Sequence, residues 1–106
     1  MSLLTTHVLD AVRGAPAAGV EVVLLGPDGA EVARTTTDAD GRAAVGPDSL
    51  EPGEHALRFG TGAYFARSGT ETFYPTVTVA FVVGDRPHYH VPLLLSPFAY
   101  STYRGS

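Results

Sequence analysis

Glycine and proline interrupt this chain about every eight to twelve residues, and short β-branched or aromatic runs fill the intervals. A chain punctuated at that spacing must reverse direction after each short run, which is how a β-sandwich or barrel is built. The pattern predicts eight strands, over about 3–10, 19–25, 31–37, 42–45, 54–59, 76–83, 88–95 and 100–104. The turns expected between them are Gly14-Ala15-Pro16, Gly26-Pro27-Asp28-Gly29, Asp38-Ala39-Asp40-Gly41, Gly46-Pro47 and Ser96-Pro97. Two strands alternate cleanly. In one, His55, Leu57 and Phe59 share a face opposite Ala56 and Arg58; in the other, Val77, Val79, Phe81 and Val83 oppose Thr76 and Thr78. One short helix is expected over 61–68, with Gly69 placed to cap it. The expected architecture is all-β, an eight-stranded two-sheet β-sandwich with one short helix, in a single domain spanning 1–106.

Charge and cysteine content narrow the chemistry. Charged residues make up 17% of the chain, against a usual share of about 25%, which suggests a surface partly covered by other subunits. Net charge is −4, lysine is absent, and the seven arginines are scattered. No basic stripe for nucleic acid results. No run of eighteen apolar residues marks a membrane helix and no signal-peptide pattern opens the chain, so a cytoplasmic location is expected. The absence of cysteine removes disulfides, thiolate nucleophiles and zinc–thiolate sites together.

Histidine is then the best candidate for chemistry. His7 lies inside the first strand, His55 on the alternating fifth, and His88 and His90 share a face of the seventh. A single strand histidine is more often a packed or surface residue than a catalyst, and His55 is read as a satisfied residue at the edge of the core. A His-x-His pair is also half a metal site, but no third ligand stands at a recognisable spacing, so no metal is expected. Asp38-x-Asp40-Gly41 has the opening of a calcium loop without its later oxygen ligands, and reads as a hairpin turn. Arg42 follows that turn; taken alone it is a solvated charge at a strand start.

Larger stretches add to this reading. Thr6 to Leu24, THVLDAVRGAPAAGVEVVL, resembles the start of the transthyretin fold. His88 to Ser106, HYHVPLLLSPFAYSTYRGS, is similar to the ending of the 5-hydroxyisourate hydrolases, and Thr72 to Phe81 and Asp40-Gly41-Arg42 resemble the same family. The likeness runs in order along essentially the whole chain, and Tyr103-Arg104-Gly105-Ser106 is its most specific part, because it separates the enzyme from the hormone-carrier branch.

The resemblance implies a transthyretin-like (prealbumin-like) sandwich assembled as a homotetramer, a dimer of dimers with sites in a channel between the dimers. It implies hydrolysis of the cyclic amide of 5-hydroxyisourate, a small-molecule substrate, with no cofactor. It also implies catalytic roles for His7, Arg42, His90 and Ser106, with Tyr103, Arg104 and Gly105 joining those four around the substrate. His7 and His90 together supply a base and its orienter or an acid, in an order the sequence leaves open. Arg42 supplies a fixed fork of donors. His88 receives no catalytic role.

Strand parity is consistent with that set: Thr5, His7 and Leu9 share one face, His90, Pro92 and Leu94 another, and Ser101 and Tyr103 a third, with Val8 and Val91 opposite. The aromatic ending predicts order almost to the last residue. If Tyr103 lines the cleft, the terminal carboxylate is placed to orient Arg42 or Arg104. Two alternatives stand beside the hydrolase: a non-catalytic small-ligand carrier of transthyretin type, which would lack the His/Arg set, and an immunoglobulin-like structural domain, which leaves the strand histidines unexplained.

Overall fold

Alternating burial along the strands divides the molecule into an inner core and two outer faces. The computed structural model describes residues 3–106, so Met1 and Ser2 of the expected domain lie outside the described residues. Its strands are β1 (Leu4–Asp10), β2 (Ala15–Pro16), β3 (Glu21–Leu25), β4 (Glu31–Thr36), β5 (Arg42–Val45), β6 (Gly53–Phe59), β7 (Val77–Val83), β8 (Tyr89–Ser96) and β9 (Ala99–Thr102), with helix α1 (Thr61–Ala66) between β6 and β7. All eight expected strands are present, with ends shifted by a residue or two. The addition is β2, two residues inside the expected Gly14-Ala15-Pro16 turn, which pair with Leu9 and Asp10 of β1. A two-residue strand that includes proline carries no alternation for a sequence to display.

Two sheets form. One runs β4-β3-β6-β7, antiparallel throughout. The other runs β2-β1-β8-β9, with β5 also paired to β1. Within it β1 and β8 are parallel, in register from Leu4↔Tyr89 to Asp10↔Leu95. This pairing, between strands more than eighty residues apart, sets the position of the site.

The inner faces supply the core: Leu4 and Val8 from β1, Val22 and Leu24 from β3, Leu57 and Phe59 from β6, and Leu93 and Leu95 from β8 are fully buried. Burial of such side chains contributes roughly 1.5–3 kcal/mol each before the entropy of ordering is set against it. His55 joins this layer as expected. It is buried, its Nδ1 donates to the Gly53 carbonyl at 3.2 Å, and its ring lies tilted against Phe81.

Helix α1 is short and is held by side chains more than by its own ladder. Tyr64 and Phe65 are buried, and the Tyr64 hydroxyl donates to Asp10 Oδ2 at 2.8 Å. Asp10 Oδ1 accepts the backbone N–H groups of Val12 and Arg13, so the buried carboxylate is satisfied on both oxygens. The helix closes at Gly69, whose φ of +66° suits the left-handed cap position.

Candidate active site

The outer face of the β5-β1-β8 ribbon carries the polar residues. On β1 the odd positions Thr5, His7 and Leu9 are half-buried while Leu4, Thr6, Val8 and Asp10 point inward. Register does the rest. His7 stands directly across from Arg42 on β5, and Thr5 stands across from His90 on β8. Residues distant in sequence thus become neighbours on one surface.

A cleft of about 410 Å³ opens there, with walls that include Thr5, Asp38, Arg42, Ala44, His88, His90 and Ser106; His7 shares the face beside Arg42 but is not among the residues lining the cleft. The tail closes one side. Gly105 bridges to β8, donating its N–H to the His90 carbonyl at 2.9 Å. Gly105 also packs on the His90 ring so closely that a Cβ there would lie 3.1 Å from Cγ and nearer still to Cδ2. The tail therefore braces the imidazole.

Each polar group has a defined setting. The His90 Nδ1 lies 2.8 Å from Thr5 Oγ1, which leaves Nε2 for chemistry. Burial first, then the charges of His88, Arg42 and His7, hold this imidazole below its ordinary value of 6.5, opposed by a backbone hydrogen bond to Thr5. His90 is thus kept neutral and able to accept a proton. His7 is fixed differently: its Nε2 donates to the Asp40 carbonyl at 3.0 Å, which leaves Nδ1 as the lone-pair nitrogen.

Arg42 is aimed by its turn. Asp38 Oδ1 accepts the N–H groups of Asp40 and Arg42 at 2.9 and 3.0 Å, and Gly41 takes a φ of +75° where a Cβ would meet the Val8 carbonyl. The Asp38–Gly41 segment is therefore the expected hairpin turn. Among the described residues neither Arg42 nor Arg104 forms an ion pair, and no group of three metal-ligating side chains occurs. The expected carboxylate bridge to these arginines is thus not formed in the single chain. An arginine without an acid partner keeps its full charge for an anionic or carbonyl oxygen.

The structure brings His7, Arg42, His90, Gly105 and Ser106 together on this face. Tyr103 and Arg104 do not line the 410 Å³ cleft, although Arg104 shares a further hollow with His88, Gly105 and Ser106. Both line an adjoining hollow of about 290 Å³ with Phe81, Val82 and Tyr89, which His90 borders from the other side. Tyr103 remains 58% exposed, so its hydroxyphenyl ring is free to meet a group from outside the chain.

Two further residues of the cleft were given no role by the sequence. Thr5 is the common hydrogen-bond partner of His88 and His90, and His88 lines the cleft with its ring nearly parallel to His90 at 6.3 Å. A strand threonine looks like any other until its cross-strand partner is known. His88 was visible through the His-x-His spacing alone.

Comparison with known proteins gives the family and the fold. A family model described as the HIUase/Transthyretin family matches residues 4–105. A 5-hydroxyisourate hydrolase of Caulobacter vibrioides is 46% identical, each chain being covered in full. The structure of the Klebsiella pneumoniae 5-hydroxyisourate hydrolase superposes with a TM-score of 0.90 at 43% identity, covering 99% of this chain and 100% of that one. Transthyretin from Sparus aurata superposes equally well, at 0.90, but is 31% identical, with 99% and 97% covered.

Proposed function

The chain belongs to the HIUase/Transthyretin family, and on that premise we propose that it hydrolyses the cyclic amide of 5-hydroxyisourate to 2-oxo-4-hydroxy-4-carboxy-5-ureidoimidazoline, a step of urate breakdown. The observation that carries this reading is the cleft itself. A neutral imidazole with a free Nε2, an unpaired guanidinium and a hydroxyl line one open surface. The two branches of the family share the fold almost equally, so fold alone does not choose between enzyme and carrier. The 46% and 43% identities to hydrolases, against 31% to a transthyretin, favour the enzyme.

The chemistry asks for four things. Water must lose a proton as it attacks the ring carbonyl, a tetrahedral oxyanion must be stabilised, the leaving nitrogen must be protonated, and the substrate must be held. His90 takes the proton at Nε2; its depressed basicity keeps the base form present at neutral pH. His7 orients the water through its Nδ1 lone pair, and the proton that His90 has taken is returned from Nε2 to the leaving nitrogen. What supports this division is that His7 Nε2 is already committed to the Asp40 carbonyl while His90 Nε2 is not. Arg42 stabilises the developing oxyanion with paired N–H donors. Ser106 hydrogen-bonds the substrate or the water, Gly105 holds the tail on His90, and Arg104 joins the surroundings of the substrate. No metal or organic cofactor is needed.

The active form is a homotetramer, a dimer of dimers in the cytoplasm. In that assembly Tyr103 completes the substrate environment across a subunit boundary. Supporting this are the charge-poor composition and the exposed Val82, Leu94, Phe98, Tyr100 and Tyr103 on or beside the edge strands. The test is optical. Urate oxidase generates 5-hydroxyisourate in the cuvette, and this protein should accelerate its disappearance; decay at the spontaneous rate refutes the reading. Sedimentation that finds a fully active monomer refutes the shared site.

A further inference from the structure

Two of the cleft's histidines converge on one hydroxyl. Thr5 Oγ1 lies 2.8 Å from His90 Nδ1 and 2.9 Å from His88 Nε2. A hydroxyl carries one proton and two acceptor lone pairs, so it accepts from both rings or donates to one and accepts from the other. With both rings neutral, two arrangements use the Thr5 proton to link the rings into a continuous chain. In the first, His90 Nδ1–H donates to Thr5, and Thr5 donates to the lone pair of His88 Nε2. In the second, every bond runs the opposite way, and the His90 proton sits on Nε2.

Of these two linked arrangements, the first leaves His90 Nε2 as a base. The two differ by the shift of one proton along each bond of a continuous chain. The chain leads outward: His90 is half-buried, Thr5 is half-buried on the central strand, and His88 is exposed.

We propose that Thr5 is a positioning residue that fixes the His90 tautomer, and that His88, Thr5 and His90 form a proton wire from the cleft to solvent. The inference rests on the reading of His90 as the base. As water attacks, its proton goes to His90 Nε2. The Nδ1 proton of His90 passes to Thr5 Oγ1, and Thr5 passes its own proton to His88 Nε2. His90 and Thr5 end neutral, and His88, with a proton already on Nδ1, ends as the imidazolium and releases its proton to bulk water. His90 then holds a proton on Nε2 for the leaving nitrogen; as it gives that proton up, the relay runs in reverse from water through His88 and Thr5 and restores the first arrangement, so the proton balance closes with water alone.

Electrostatics gives the reason for the wire. A cation held on His90 would face His7 from the neighbouring strand β1, Arg42 from β5 and His88 just before β8, with Asp38 the one acidic side chain lining the cleft and Ser106, which bears the terminal carboxylate, also at its wall. Arg86 and Arg104 add positive charge around the adjoining hollow. Delivering the charge to an exposed ring lets water solvate it.

The experiment uses Thr5→Val, which keeps the β-branched shape and removes the hydroxyl, with Thr5→Ser as the conservative control. Thr5→Val should lower kcat roughly ten- to hundred-fold with KM nearly unchanged, part of what a positioned base contributes, and Thr5→Ser should recover most of it. His88→Gln keeps an acceptor for the hydroxyl but cannot hold the proton as a cation, so it should lower kcat by a similar factor. Independently of turnover, ¹⁵N chemical shifts of the ring nitrogens should report His90 with its proton on Nδ1 in the wild type and redistributed toward Nε2 in Thr5→Val. Wild-type kcat in folded Thr5→Val, or a His90 tautomer identical in both proteins, overturns the positioning role. Full kcat in His88→Gln overturns the wire. If the wild type does not hydrolyse 5-hydroxyisourate, the functional reading falls, and the ring-nitrogen shifts still decide whether Thr5 sets the tautomer.

Discussion

Adding a single methyl group at Gly105 tests whether the tail braces the catalytic ring. Gly105 has no left-handed backbone requirement, so Gly105→Ala carries no intrinsic strain, and its effect comes from what the new Cβ meets. That Cβ would lie 3.3 Å from the His90 Cβ, 3.1 Å from Cγ and inside contact distance of Cδ2. Carbon atoms rest at about 3.5–4.0 Å, so the ring and the tail must part by roughly 1 Å. Either the imidazole swings away from its bond to Thr5, or the tail lifts and loses the Gly105 N–H bond to the His90 carbonyl. In both cases Ser106 and His90 Nε2 no longer keep their spacing. A misplacement of about 1 Å near the chemistry costs about 100-fold in rate. Stability should change little, because lifting the tail forfeits one bond worth roughly 0.5–1.5 kcal/mol and uncovers no core side chain. The assay is kcat/KM for 5-hydroxyisourate decay beside thermal unfolding followed by circular dichroism. Wild-type kcat/KM in Gly105→Ala would show that the tail does not hold the ring and would refute the reasoning.

His90→Asn and His7→Asn should each lower turnover by about 100-fold or more while folding survives, since both stand on the outer face; unchanged turnover in steady-state assays removes that residue from the mechanism. Because burial and neighbouring cations depress His90, its base form persists below the ordinary value of 6.5, so the acid limb of the kcat/KM profile should lie below pH 6.5. A limb above that value would argue against His90 as the base. Arg42→Lys keeps the charge and loses the fork of donors, and should fall at least about tenfold, one hydrogen bond to a charged group being worth about 1.5–3 kcal/mol; full activity would reduce Arg42 to a point charge. A bulky fusion after Ser106, which lines the cleft, should nearly abolish hydrolysis and leave circular dichroism unchanged, and full activity in that fusion would remove the tail from the site.

What the sequence determined by itself was local. Turn residues at regular spacing set the eight strands, and alternation put Leu57 with Phe59 and Val77 with Val83 on shared faces, which the structure buries, because the side chains of a strand alternate whatever its partner is. The same parity placed His7 and His90 on faces away from Val8 and Val91, and resemblance named both with Arg42 and the tail. Parity does not encode which strand lies alongside. The parallel pairing of β1 with β8 put Thr5 opposite His90, and the antiparallel pairing with β5 put Arg42 opposite His7. Each match depends on burying inner faces contributed by segments far apart in the chain, so no window of sequence contains it. For the same reason Thr5 looked like any strand threonine, His88 like a bystander, and Tyr103 like a lining residue of the cleft it instead stands beside. Residue type and facing were written along the chain; which groups share a proton was decided only when the sheets closed.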